Sequence, residues 1–256
     1  MTIQLPCRYY RVFTDPDTPC VESNFHFVER NLPLPIVETA LILVDVWSTH
    51  YIDSWLQRAR EVTEGKIVPI LNAARTIGLT VIHAPSPFVA DRYAKAPAAT
   101  VQESSDLAWP PSGFRGIYRS GSYAAFGRQH EPIIPPTYQH YEEALDISPS
   151  VKPLPGEAVI HTGPQLHTLL AEKKILHLIY VGFATNWCVI GRDYGVSAMH
   201  DRGYNLVLVR DATTGIEFHD TAETLTATEM AVREIETKQA WSTLTEEILT
   251  ACSAGE

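Results

Sequence analysis

Short, nearly unbroken apolar runs alternate along the chain with longer segments of helical period, and this alternation restricts the fold more than any other feature. The run Ala40-Leu41-Ile42-Leu43-Val44-Asp45-Val46 has no polar face until its end, as expected of a strand covered on both sides. Further runs at 79–83, 158–161, 176–181 and 206–210 read the same way. Between and after them, 55–77, 166–174, 189–202, 220–236 and 242–251 read as helices, with Gly78 and Gly203 as stop signals. Strands alternating with helices imply right-handed βαβ crossovers and a parallel sheet covered on both faces. The 256 residues suffice for one such α/β domain with a sizeable core.

Two regions break the alternation. Within 1–38, Arg8-Tyr9-Tyr10-Arg11-Val12-Phe13 and Phe25-His26-Phe27-Val28 are candidates to pair as an edge hairpin. Residues 84–155 are long and rich in proline, aromatic and small residues. Segments of that length in a compact domain are usually functional or carry local structure of their own. Two readings stand for it, a specificity lid near the strand ends and a dimer-contact arm.

The net charge of −10 argues against nucleic acid or an anionic membrane as main partner. No apolar run is long enough to span a bilayer, and the first residues lack the basic and apolar regions of a secretory signal. Cys7, Cys20, Cys188 and Cys252 form no CxxC pair, which disfavours thioredoxin-like chemistry and common zinc spacings. A cytoplasmic protein with reduced thiols is expected; Cys7 and Cys20 would be the pair available in an oxidising compartment.

Cys188 stands where the buried run ending at Val181 gives way to a helical segment, in Gly182-Phe183-Ala184-Thr185-Asn186-Trp187-Cys188-Val189. Open α/β sheets place their chemistry at the carboxyl ends of the strands. Helix N–H groups at that point favour negative charge, so the thiol is expected to ionise readily and act as a nucleophile; the alternative is a buried, inert cysteine. Asp45 closes the first buried run, where a carboxylate is costly unless paired or functional. It is a candidate general acid and base toward Cys188, or a cap of the following helix. Trp47, Tyr51 and Trp187 flank these positions, either as an apolar wall for a small substrate or as plain core.

These pieces resemble the isochorismatase-like cysteine hydrolase family, in its amidohydrolase branch that includes nicotinamidases and carbamoyl amidohydrolases. The matching residues are 40–46, Thr80-Val81-Ile82-His83, the stretch Tyr180 through Val189, Gly203-Tyr204, and Val209-Arg210-Asp211-Ala212. The resemblance covers roughly 36–83 and 156–250, leaving the N-terminal extension and the 84–155 insert outside. It implies a three-layer αβα sandwich with a mostly parallel, doubly wound sheet. It implies that Cys188 is the nucleophile and Asp45 the acid/base. It also implies a cis peptide at Phe183–Ala184 and an oxyanion hole made by the N–H groups of Ala184 and Cys188. Members with the cysteine act mostly on small amides, carbamoyl compounds or ureides through a thioester, and a homo-oligomer, dimer or tetramer, is implied with them. The family's lysine after the third strand is missing from Val159-Ile160-His161-Thr162-Gly163-Pro164. His161 is the candidate for its place, with Lys152 and Arg119 as alternatives.

No cofactor is expected. His50, Asp53 and His83 do not reproduce the metal-site spacing of nicotinamidases, so no metal is expected either. No GxGxxG or P-loop supports a nucleotide binder, and Arg119-Ser120-Gly121-Ser122 is not a GxSxG elbow. The remaining alternatives are a binding protein that kept the fold but not the activity, and a hydrolase of a non-amide bond such as a vinyl ether.

Overall fold

The computed structural model describes residues 1–93, 111–114, 119–128 and 136–254. An eight-stranded sheet forms its centre: β1 (Thr2–Arg11), β2 (His26–Pro35), β3 (Thr39–Val44), β4 (Thr80–Ala84), β5 (Ala158–Val159), β6 (His177–Phe183), β7 (Asn205–Thr214) and β8 (Trp241–Thr243). The strand order is β2-β1-β8-β7-β6-β3-β4-β5. Strands β3 to β8 run parallel, while β1 and β2 form an antiparallel hairpin on the β8 edge. The architecture is the expected α/β layering with a mostly parallel sheet.

The burial pattern explains why the apolar runs lack a polar face. In β3, Leu41 and Leu43 join one hydrophobic cluster, while Ala40, Ile42 and Val44 join a second on the opposite face. In β6, Ile179 and Val181 face the first cluster, while Leu178 and Tyr180 face the second. Helices α1 (Asp53–Val62), α2 (Val68–Thr76) and α8 (Thr245–Ser253) cover the first face with Ala59, Ile70, Leu71, Ala74, Ile248 and Ala251. Three helices cover the other face: α5 (Gly163–Lys173), α6 (Val196–Asp201) and α7 (Thr226–Lys238). They contribute Leu166, Leu170, Val196, Met199, Val232 and Ile235. Period-two alternation thus feeds two cores at once. No helix among the described residues is long and apolar enough to cross a membrane.

Several boundaries differ from the sequence expectation. The 55–77 helix is one continuous rod with a π-helical turn at Thr63–Ile67 joining α1 to α2. The expected 189–202 helix is interrupted: a π-helical turn at Thr185–Val189 is followed by a break before α6. At Gly195 an added Cβ would lie 2.7 Å from the Val189 carbonyl oxygen, so the chain folds back tightly there. The expected 220–236 and 242–251 helices begin later, at Thr226 and Thr245. Trp241-Ser242-Thr243 instead forms β8, between β7 and β1. The edge hairpin is longer than expected, with ten paired positions from Thr2↔Pro35 to Arg11↔His26. Of the 84–155 insert, α3 (Pro87–Ala90) and α4 (Pro136–Ala144) are regular α-helix; residues 94–110, 115–118 and 129–135 lie outside the described residues.

Candidate active site

The adjacent parallel strands β3 and β6 end side by side, with Val44 opposite Gly182. Gly182 has φ +114°, and a Cβ there would sit 1.9 Å from the Val44 carbonyl oxygen. Only glycine permits this approach. The next residue on β3 is Asp45, with φ 42°, a left-handed conformation that is uncommon and costly for a non-glycine residue. Its N–H donates to the Ala84 carbonyl at 3.1 Å, which turns the carboxylate in over the strand ends. On β6 the chain continues through a cis peptide at Phe183–Ala184 into the turn that carries Cys188. The N–H groups of Trp187 and Val189 donate to the Ala184 carbonyl at 3.0 and 3.1 Å.

This turn is pinned by side chains. Asn186 donates through Nδ2 to the Ile216 carbonyl at 3.0 Å and accepts the Ile216 N–H at 2.8 Å. The hydroxyls of Thr185 and Thr213 bond at 2.7 Å. Both residues therefore tie the turn to the end of β7.

Asp45 is 3 % exposed. Its Oδ1 accepts the Ser86 hydroxyl at 2.8 Å. Its Oδ2 is buried without a hydrogen-bond partner, and the Arg192 Nη2 stands 3.6 Å away. The half-buried Cys188 thiol is close enough to interact with both Asp45 and Arg192, although no bond of good geometry closes on Oδ2. Burial raises the Asp45 pKa above the ordinary carboxylate value, against the opposing effects of Cys188, Arg192 and Ser86. Burial and then the Asp45 charge push the Cys188 thiol up to about 12, with Arg192 offsetting only part of this. The expectation of a readily ionised thiol is therefore corrected. A single five-residue turn aligns too few peptide dipoles to outweigh burial beside a carboxylate.

Arg192 is the cation beside Asp45, and the sequence reading missed it. Its N–H donates to the Cys188 carbonyl at 3.2 Å, one turn on. The four-residue spacing from Cys188, which puts two residues on one helical face, was the available signal. His161 is not brought to Asp45. Its Nδ1 lies 3.7 Å from Asp91, and its N–H donates to Gln165. Lys152 pairs with Asp146 at 3.1 Å. Arg119 stacks 4.4 Å over the Phe114 ring and donates to the Phe114 and Phe126 carbonyls. Both alternatives are held by partners other than Asp45.

Beside the thiol turn lies an aromatic cluster. His50 packs against Tyr51, Trp47, Trp55 and Tyr141 with ring centroids 4.5 to 5.4 Å apart. Trp47 also meets Phe183 at 5.4 Å, and Trp55 meets Trp187 edge-on at 6.0 Å. The expected wall residues Trp47, Tyr51 and Trp187 thus belong to one aromatic strip, with Trp187 54 % exposed. Burial lowers His50 to about 4, so its ring is neutral near pH 7. Among the described residues no three metal-ligating side chains gather; Asp53 opens α1, and His83 bonds Glu157 at 2.8 Å.

Parallel strands ending at a buried carboxylate, thiol and guanidinium define an α/β protein with a candidate thiol centre. Residues 123–246 match the Isochorismatase domain family. The fold is shared with a cysteine hydrolase from Pseudomonas syringae pv. phaseolicola 1448A, at TM-score 0.52 and 14% identity over 88% of this chain and 97% of that one. It is also shared with an isochorismatase-family protein from Chromobacterium violaceum ATCC 12472, at TM-score 0.51 and 18% identity over 85% and 95%. No curated protein matches the sequence significantly. Over residues 123–246 the sequence is similar to the Isochorismatase domain family, and the chain shares the fold of these two solved structures. The match opens at residue 123, inside the 84–155 segment, so the later part of that segment belongs to the matched domain.

Proposed function

We propose that the chain is a cysteine-dependent hydrolase of a small amide, carbamoyl or ureide C–N bond. The observation that carries this reading is the buried, unpartnered Oδ2 of Asp45 beside the Cys188 thiol and Arg192. A carboxylate left one hydrogen bond short in a dry site is a stronger base than one in water. The thiol is neutral at rest, and its proton leaves as attack begins. Asp45 takes the proton from Sγ while Sγ bonds to the substrate carbonyl carbon. The negative charge passes to the carbonyl oxygen, toward the N–H groups of Ala184 and Cys188. Asp45 then gives its proton to the departing nitrogen as the C–N bond breaks, leaving an acyl thioester. Water attacks the thioester, Asp45 accepts a proton from it, and the acid product leaves as the thiol is restored. Trp47, Tyr51 and Trp187 offer an apolar, planar surface to the rest of the substrate.

The test is release of ammonia or amine from a panel of small amides, carbamoyl compounds and ureides by the wild type and by Cys188→Ala. Turnover of at least one class is expected, falling by about 10⁴-fold or more in the variant, as when a catalytic nucleophile is removed. A panel without turnover, or turnover that survives in Cys188→Ala, would overturn the reading.

A further inference from the structure

We propose that Arg192 is the positioning residue of this site, a fixed positive charge that keeps Asp45 and Cys188 sharing one negative charge between them. The inference rests on the thiol-hydrolase reading for its place in catalysis, and on geometry for the rest. Arg192 follows Cys188 by one turn, and its Nη2 stands 3.6 Å from Asp45 Oδ2. Two atoms of this pair, Asp45 Oδ2 and Arg192 Nε, are buried without hydrogen-bond partners. An ion pair held at that distance with bonds left unmade adds little stability, so stability does not explain its placement.

The backbone beside Arg192 is clamped from three directions. The Gly163 N–H, at the start of α5, donates to Asp193 Oδ2 at 2.7 Å. A Cβ on Gly163 would lie 2.1 Å from the Asp193 carbonyl oxygen, so α5 and this segment meet backbone to backbone. The Tyr180 hydroxyl donates to the Tyr194 carbonyl at 2.8 Å, and the Tyr194 hydroxyl donates to the Pro85 carbonyl at 3.2 Å. The segment after the π turn is therefore fixed to β6, to the end of β4 and to α5. Its one long cation points back over Cys188 and Asp45.

The chemistry gives this placement a purpose. Before attack the negative charge is on Asp45; once the proton moves from Sγ to Oδ2, it is on sulfur. A guanidinium beside both atoms stabilises the charge in either position, and it stays protonated at any working pH. It therefore follows the charge without taking the proton. The titratable and charged groups facing it are Asp45 at the end of β3, Cys188 on its own turn and Tyr194 beyond it, with Asp193 acting on Tyr194.

The test reads the thiol directly and needs no substrate. Iodoacetamide alkylation of Cys188 is followed by peptide mass spectrometry between about pH 6 and pH 10, with thermal melts as the folding control. Arg192→Gln is expected to slow alkylation by about tenfold or more across this range, the equivalent of one pKa unit in the thiol. Arg192→Lys restores the rate to within about threefold, because it keeps the charge but not the planar fork. Gly163→Ala reaches Arg192 only through Asp193 and slows alkylation without changing any charge. A wild-type rate profile in folded Arg192→Gln overturns the proposal, as does one in Gly163→Ala if Arg192→Gln does not fold. Failure of the hydrolase reading would appear separately, as no turnover in the substrate panel with the alkylation pattern intact.

Discussion

Asp45, buried, and Glu157, half-buried, are two carboxylates beside the same parallel sheet, each facing an arginine, yet they are built in opposite ways. Glu157 accepts from Arg75 at 2.7 and 2.9 Å, from His83 at 2.8 Å and from the Leu154 N–H at 2.9 Å. These partners outweigh the cost of burial and hold its pKa near 2. Asp45 has one hydroxyl on Oδ1, an arginine at 3.6 Å and nothing bonded to Oδ2. Burial therefore dominates and its pKa rises. A carboxylate whose bonds are all made fastens a loop, whereas one left a bond short is free to take a proton. The histidines do not divide in this way: His83 bonds Glu157 at 2.8 Å, His50 accepts the Ile52 N–H at 3.0 Å within the aromatic cluster, and burial lowers the pKa of both.

Swapping each carboxylate for its amide should pull the two roles apart. Asp45→Asn has the larger effect, a loss of about 10²- to 10⁴-fold in kcat/KM, the usual contribution of a general acid–base group. Its stability to urea should fall by no more than about 1 kcal/mol, because an under-bonded buried charge has been removed. A stability loss equal in kcal/mol to the rise in the reaction barrier would mean that Asp45 holds the fold rather than exchanging a proton. Glu157→Gln should do the reverse, keeping activity within about threefold while unfolding becomes easier by about 2 kcal/mol, the shift being discounted for solvent screening. The sign follows from a folded-state pKa below the unfolded one. The Glu157 contribution is complete above its ordinary value of 4.5 and is lost as pH falls toward about 2. Urea melts of wild type and Glu157→Gln should therefore converge as the pH is lowered through that window.

How much of this was legible in the sequence depends on whether a residue's role is local. The runs at β3 and β6, Gly182, Asp45 and Cys188 stand out because continuous burial and a strand-to-turn junction leave local marks. Strand β8 does not, since Ser242 and Thr243 are buried polar residues, Ser242 bonded to Glu236 on the preceding helix and Thr243 to the Pro6 carbonyl at the other end of the chain. The π-helical turn at Thr63–Ile67 is hidden because Thr63-Glu64-Gly65-Lys66-Ile67 holds no proline to mark a break, and its buried ends, Thr63 and Ile67, keep an ordinary four-residue helical spacing. Arg192 leaves no such mark because the segment reads as one regular helix to residue 202, whereas the fold breaks it and clamps it to Gly163 and Pro85. His161, two residues beyond the short pairing of β5, is close to the site in sequence but faces Asp91 in space.

In the proposed mechanism Cys188 carries the acyl group of the substrate. The most direct measurement is intact mass after acid quench of the wild type during turnover of a small amide. The expected result is a mass gain equal to the acyl portion, confined to the peptide that contains Cys188 and missing in Cys188→Ala. Amine release that proceeds with no adduct on Cys188 and persists in Cys188→Ala would contradict it.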